Sequence, residues 1–201
     1  SEQGSSIKTQ FATRLDIIKD VLFVNGNFSY NFDKNRNRWH YLPVAYYEGP
    51  EMAPKYFNEV TSANTQSNET TRLTFDAYAT FYKIFNEKHA ITVIAGFNQE
   101  EYRYENAQLG RKDLISTSLP TPGLATGDMS VSESITTWAL RGGYARFNYT
   151  FDDKYIAEFN GLYDGTSRFP KDSRFVFSPS GSVAWVVSRE KFFKPFESIF
   201  S

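Results

Sequence analysis

With 201 residues the chain is long enough for one ordinary domain, but 19 Phe and 13 Tyr against 2 Met give it an aromatic content of 17%, a mixture that suits strands better than helices. A formal net charge of −1 with no run of Lys or Arg removes the electrostatic case for nucleic acid, and the absence of Cys excludes disulfides, thiolate metal sites and a cysteine nucleophile. No stretch is apolar enough for a membrane helix, yet the mean hydropathy of −0.49 does not exclude a transmembrane barrel, whose strands alternate apolar and polar residues.

The opening residues Ser1 to Ser6 carry neither the basic nor the apolar region of a secretory signal. Residues 7–16 and 22–32 read as a strand pair about a short turn at 17–20. A long polar segment, 33–68, follows and contains Trp39, Tyr41, Tyr46 and Tyr47. Aromatic rings in such a loop can stack on sugar faces, or pack the loop against its neighbours. From 71 to 85 the odd positions, among them Leu73, Phe75, Ala77, Ala79 and Phe81, are mostly apolar and the even ones mostly polar. After a turn at 86–88 the pattern returns with Ile91, Val93, Ala95 and Phe97, which completes a hairpin. The first of these strands far exceeds the ~5–6 residues usual in globular proteins.

A second long segment, 105–130, precedes a strand at 138–151, a turn at 152–154, and a strand at 155–164 that presents Tyr155, Ala157, Phe159, Gly161 and Tyr163 on one face. A loop at 165–173 leads to a last strand over 175–187, and Phe192, Phe193, Phe196 and Phe200 read as an aromatic girdle or a small packed helix. The expected architecture is about seven antiparallel up-and-down strands. Short and long connections alternate along the chain, as they do in outer-membrane barrels with short periplasmic turns and longer outer loops. A soluble β-sandwich also alternates apolar and polar residues, and is the competing fold.

Several ordered motifs carry a resemblance. Arg146-Phe147-Asn148-Tyr149, running on to Asp153-Lys154-Tyr155, resembles a recurrent hairpin of the SusC/RagA family of TonB-dependent receptors. Asp164-Gly165-Thr166-Ser167-Arg168-Phe169 is similar to that family's Asp-Gly-Ser-Ser-Arg-Phe loop, and Pro179-Ser180 leading to Ala184-Trp185 is similar to its Pro-Ser then Gly-Trp strand. Ser188-Arg189-Glu190-Lys191-Phe192-Phe193 resembles its Ser-Glu-Glu-Lys-Phe-Phe turn, with Arg189 in place of an acidic residue. Ala95-Gly96-Phe97-Asn98-Gln99-Glu100 and Arg111-Lys112-Asp113-Leu114-Ile115-Ser116 also match family segments.

The resemblance implies an all-β fold, the partial wall of a transmembrane β-barrel in the cell outer membrane. It implies import of oligosaccharides or peptides with a SusD-like surface lipoprotein and TonB as partners, both engaging parts of a longer protein, and contact with outer-membrane lipid. The whole chain, 1–201, is then expected to be a fragment of the barrel domain, with no plug domain, TonB-contacting segment or signal peptide. The alternative is a soluble carbohydrate-binding β-sandwich that buries the stripe from Leu73 to Phe81.

Candidate ligand or loop contacts are Trp39, Tyr41, Tyr46, Tyr47, Asp164 and Arg168. Asp164-Gly165 serves first as a turn former, and Arg168 as a partner for nearby carboxylates. His40 and His89, the two histidines, have no carboxylate arrangement around them, so neither a metal site nor a catalytic triad is expected, and no cofactor. The chain is not expected to be an enzyme.

Overall fold

The computed structural model describes residues 1–57 and 59–193. Nine strands succeed one another: β1 (Glu2–Ile18), β2 (Leu22–Tyr41), β3 (Val44–Tyr46), β4 (Lys55–Phe57), β5 (Ser62–Phe85), β6 (His89–Lys112), β7 (Met129–Phe151), β8 (Tyr155–Thr166) and β9 (Phe175–Trp185). Seven of them form one antiparallel sheet in the order β1-β2-β5-β6-β7-β8-β9, and β3 and β4 pair only with each other. The order is that of the chain, an up-and-down meander in which every second connection is short.

The short connections owe their tightness to residues that accept a left-handed backbone. At the β5–β6 turn Asn86 and Glu87 have φ of 48° and 58°, and at the β7–β8 turn Asp152 and Asp153 have φ of 52° and 54°. Two successive positive φ values mark the primed hairpin turns whose twist matches that of paired strands. Each turn is closed by a backbone bond, Lys88 N–H to Phe85 O at 3.2 Å and Lys154 N–H to Phe151 O at 2.9 Å. Asn and Asp tolerate this region, whereas Glu87 carries its steric cost.

The strands are longer than the sequence pattern suggests, and the long connections correspondingly shorter. β2 runs on to Tyr41 and β5 begins at Ser62, so Trp39 and Tyr41 lie on a strand instead of in the loop expected over 33–68. Likewise β6 runs on to Lys112 and β7 begins at Met129, which narrows the expected loop 105–130 to 113–128, whereas the last strand ends at Trp185 and Val187 falls in a 3-10 turn. The reason is chemical. Stretches such as Asp33-Lys34-Asn35-Arg36 and Thr65-Gln66-Ser67-Asn68 are polar on both faces, so no alternation marks them, and pairing alone keeps them extended.

The chain divides into two compact units. The first comprises residues 1–8, 31–72 and 102–137, and includes the β3–β4 hairpin. Its extended segments are tied by Lys34 to Glu69 at 2.5 Å, by Asn35 to Glu2 at 2.9 Å, and by Tyr104 to Asn68 at 3.2 Å. The second comprises residues 9–30, 73–101 and the described residues from 138 onward, and holds the three short turns.

Neither unit has a conventional core. Among the described residues the buried hydrophobic ones are Ala63 and Ala125, joined by the buried polar Thr80. A sandwich needs two facing sheets with their inner faces interdigitated. One large sheet, with Phe75 in the decisive stripe 45% exposed, replaces the sandwich alternative by the barrel-wall fold.

Candidate functional site

In the second unit the β7–β8–β9 register sorts side chains onto two faces. Phe147 pairs with Phe159, Tyr149 with Ala157, Tyr163 with Phe177 and Ala157 with Val183, all on one side. This side is apolar and unsheltered: Phe159 is 54% and Val183 86% exposed. Exposed apolar surface of this extent marks a face made for a non-aqueous neighbour.

The opposite side is a polar ladder. Arg146 donates to Asn160 at 2.8 Å, and Asn160 donates to Glu158 at 2.8 Å. Further along, Tyr144 on β7 donates to Asp76 on β5 at 3.2 Å, and Asn27 on β2 reaches the same carboxylate at 3.4 Å. β6 lies between β5 and β7, so the tyrosine must cross it, and it does so over Gly96. A methyl group at Gly96 would lie 2.6 Å from the Tyr144 hydroxyl and 2.8 Å from Tyr78 Cβ. Glycine inside a strand is here a passage for a neighbour's ring.

On the apolar side, rings form a row beside the β7–β8 turn. His89 meets Phe151 at 4.9 Å between centroids, Phe151 meets Tyr155 at 6.2 Å, Tyr155 meets Trp185 at 6.3 Å, and Trp185 meets Phe192 at 6.2 Å. Of the four phenylalanines expected in a girdle or a small packed helix, Phe192 joins this row and Phe193 follows in a turn, its N–H donating to Glu190 O at 3.0 Å; Phe196 and Phe200 lie outside the described residues. Glu190 fixes the polar edge of the row, accepting from Tyr155 Oη at 2.6 Å and from Trp185 Nε1 at 3.3 Å. Those bonds, the tyrosine's above all, hold its carboxyl below the usual range. The hydrogen bond from Lys154 lowers Asp152 in the same way and raises Lys154 itself. Arg189, the departure from the family motif, pairs with Asp153 at 2.9 Å and so ties the chain after β9 to the turn after β7.

In the first unit, Trp39 and Tyr41 line a groove of ≈ 530 Å³ together with Asn64, Gln108, Arg111 and Asp128. Gly110 forms its floor. A methyl group there would lie 2.8 Å from Ser130 Oγ and would collide with the Asn64 amide, so both polar groups overlie the glycine.

The six residues singled out from sequence thus meet different fates. Trp39 and Tyr41 come together at the groove. Tyr46 stacks on Phe57 at 4.4 Å within the β3–β4 hairpin, and Tyr47 projects from the loop, 66% exposed. Asp164 and Arg168 belong to the second unit, Asp164 in register with Gly142 and Val176, and Arg168 placed 4.8 Å over the Trp138 ring. Sequence reasoning passed over Asn64, Gln108 and Gly110. The one available signal was a glycine interrupting a polar strand. Among the described residues no group of three or more His, Asp or Glu is gathered as metal ligands would be.

An up-and-down sheet with a bare apolar face, a polar opposite face and a ring girdle defines the chain as wall of a transmembrane β-barrel. No family model matches the chain. It is 27% identical over 139 residues to TonB-dependent receptor P3 of Formosa agariphila, a match covering 68% of this chain and 14% of that protein. It is also 37% identical over 51 residues to TonB-dependent receptor SusC of Bacteroides thetaiotaomicron, covering 25% of this chain and 5% of the other. A solved structure of the RagAB peptide transporter superposes with a TM-score of 0.77 at 18% identity, covering 96% of this chain and 21% of that one. The chain thus shares its fold with a barrel wall and is similar in sequence, over part of their length, to TonB-dependent receptors, SusC among them. It spans 14% and 5% of the length of these two curated relatives, whose names are those of receptors and not of enzymes.

Proposed function

We propose that this chain is part of the barrel wall of an outer-membrane, TonB-dependent importer of oligosaccharides or peptides. The reading rests above all on the two-faced sheet: phenylalanine, tyrosine and valine on one side, hydrogen-bonded Arg, Asn, Glu, Asp and Tyr on the other. The apolar side faces lipid and the polar side faces the lumen through which solute passes. Plug and TonB contacts come from other residues of a longer protein, and a SusD-like lipoprotein closes over the outer loops. The peptide named for RagAB supports the peptide arm of this reading, and the aromatic and amide groove supports the oligosaccharide arm.

Nitroxide labels placed singly at Ala77, Tyr78, Ala79 and Tyr82 of the full-length protein in bilayers test it. Collisions with oxygen should dominate at 77 and 79, and collisions with a water-soluble relaxer at 78 and 82. Equal water exposure at all four, or complete shielding of 77 and 79, would sink the proposal.

A further inference from the structure

We propose that the trough between β8 and β9 on the apolar face is the seat of one zwitterionic phospholipid, an inference that rests on the barrel-wall reading. All of its residues belong to the second unit. A groove of ≈ 440 Å³ lies over Ala157 and Val183, and a second of ≈ 310 Å³, which shares those two residues, continues it past Phe159 to Gly181. Both lie on the apolar face, where Tyr155 pairs with Trp185, Ala157 with Val183 and Phe159 with Gly181. Small side chains make the floor. A Cβ at Gly181 would lie 3.4 Å from the Glu158 carbonyl oxygen and 4.0 Å from the Phe159 ring, ordinary contacts that leave the trough open above the glycine.

The walls of this trough are fixed. The Tyr149 hydroxyl shares a hydrogen bond with His89 Nδ1 at 2.6 Å, and the Tyr155 hydroxyl donates to Glu190 at 2.6 Å, as the Trp185 indole N–H does at 3.3 Å. Rings held in place before a ligand arrives lose less freedom when it binds. The two bonds to Glu190 also set the level of the site in the membrane. Tyr and Trp rings with their polar edges turned toward a strand end mark the boundary between hydrocarbon and headgroups. From Trp185 to Gly181 the trough runs inward from that boundary by ~13 Å along the tilted strand, roughly one leaflet's share of the ~25 Å apolar band of a barrel. An acyl chain entering beside Trp185 is therefore matched to its length.

Charge at the boundary selects the headgroup. Lys191 stands in the chain between Glu190, which holds the Trp185 indole, and Phe192, whose ring meets the Trp185 ring at 6.2 Å, so its backbone is placed at the mouth of the trough. It is exposed and forms no ion pair among the described residues, whereas Lys154 is engaged by Asp152 at 3.0 Å and Glu190 at 3.7 Å, and Arg189 by Asp153 at 2.9 Å. Lys191 is thus available to a lipid phosphate. Asp152, Asp153 and Glu190 balance Lys154, Arg189 and Lys191, and the adjoining turn adds Glu87 and Lys88, one charge of each sign. A surface of mixed and balanced charge complements a headgroup that carries both a phosphate and an amine, and repels a polyanionic one through its carboxylates.

The test titrates the delipidated full-length protein in maltoside detergent with phosphatidylethanolamine that carries a photoactivatable diazirine midway along one acyl chain, and maps the cross-links by peptide mass spectrometry. Label should concentrate on residues 155–161 and 179–185 and saturate, while the stripe from Leu73 to Phe81 takes it only in proportion to added lipid. Gly181→Leu, which fills the trough, should weaken the saturable labelling by roughly tenfold, and Lys191→Gln by roughly fivefold. Val183→Ala, which widens the trough, should retain it, and the heat-modifiable gel shift checks that each variant is folded. Label spread evenly over the apolar face, stronger labelling by phosphatidylglycerol or diphosphorylated lipid A bearing the same diazirine, or saturable labelling that both Gly181→Leu and Lys191→Gln leave intact would overturn the proposal. A nitroxide at Ala77 in bilayers separates the two levels: lipid exposure there with evenly spread label removes the seat and keeps the wall, whereas loss of lipid exposure removes both.

Discussion

Replacing Gly96 by alanine should damage the sheet through Tyr144, a residue of the neighbouring strand. The new methyl would collide with the Tyr144 ring and sit 2.8 Å from Tyr78 Cβ. Overpacking of this kind costs about 1–3 kcal/mol. Tyr144 must also swing off β6 and give up its bond to the Asp76 carboxylate, worth about 1.5 kcal/mol at a half-exposed position. Alanine returns about 0.5–1 kcal/mol by its lower conformational entropy in a strand. The balance is a loss of about 1.5–4 kcal/mol. Urea unfolding of the full-length protein in detergent, followed by tryptophan fluorescence, gives the midpoint shift. The decisive comparison is a double-mutant cycle. With Tyr144→Ala in place the passage is empty and only the Tyr78 contact persists, so Gly96→Ala should cost about 1–2 kcal/mol less than in the parent. Equal costs in the two backgrounds would refute the idea that Gly96 is there to let Tyr144 cross.

Two further outcomes follow from the faces and from the charged turn. Phe159→Arg, near the middle of the apolar face, should cost about 2–4 kcal/mol when the barrel folds into bilayers, while Ser178→Arg on the polar face of β9 should stay within about 0.5 kcal/mol; similar losses at both positions, read from the heat-modifiable gel shift, would count against the assignment of faces. Asp152 and Glu190 have carboxyls lowered by their hydrogen bonds, so their contribution is present above the ordinary carboxylate range and lost as pH falls through the lowered values. Lys154 is raised, so its contribution is present at neutral pH and lost only as pH rises through the raised value. A nitroxide at Ser188 should therefore gain mobility toward acid and again toward strong alkali, with Glu190→Gln flattening the acid limb; an unchanged acid limb would show that Glu190 does not hold the turn.

The residues that announced themselves in the sequence did so through local chemistry. Leu73, Phe75 and Phe81 recur at every second position because a strand turns successive side chains to opposite faces, so burial in lipid writes itself into the sequence with that period. Asn86, Asp152 and Asp153 mark turns because their short polar side chains tolerate positive φ. The motifs from Arg146 to Phe193 pointed to the family for the same reason, being contiguous. Trp39 and Tyr41 were noticed for their rings but assigned to a loop, since strand β2 beyond Phe32 is polar on both faces and has no period to read.

What the tertiary structure alone decided is register. Only the alignment of β5, β6 and β7 reveals that Gly96 lies under Tyr144 and that Gly110 lies under Asn64 and Ser130. Only the packing of the segment after β9 gives Glu190 its tyrosine and tryptophan partners, and turns the unusual Arg189 into the counter-charge of Asp153. Alternation is a property of one strand and survives in its sequence. Which residue of one strand lies beside which residue of another depends on pairing between segments distant in the chain, and no single segment records it.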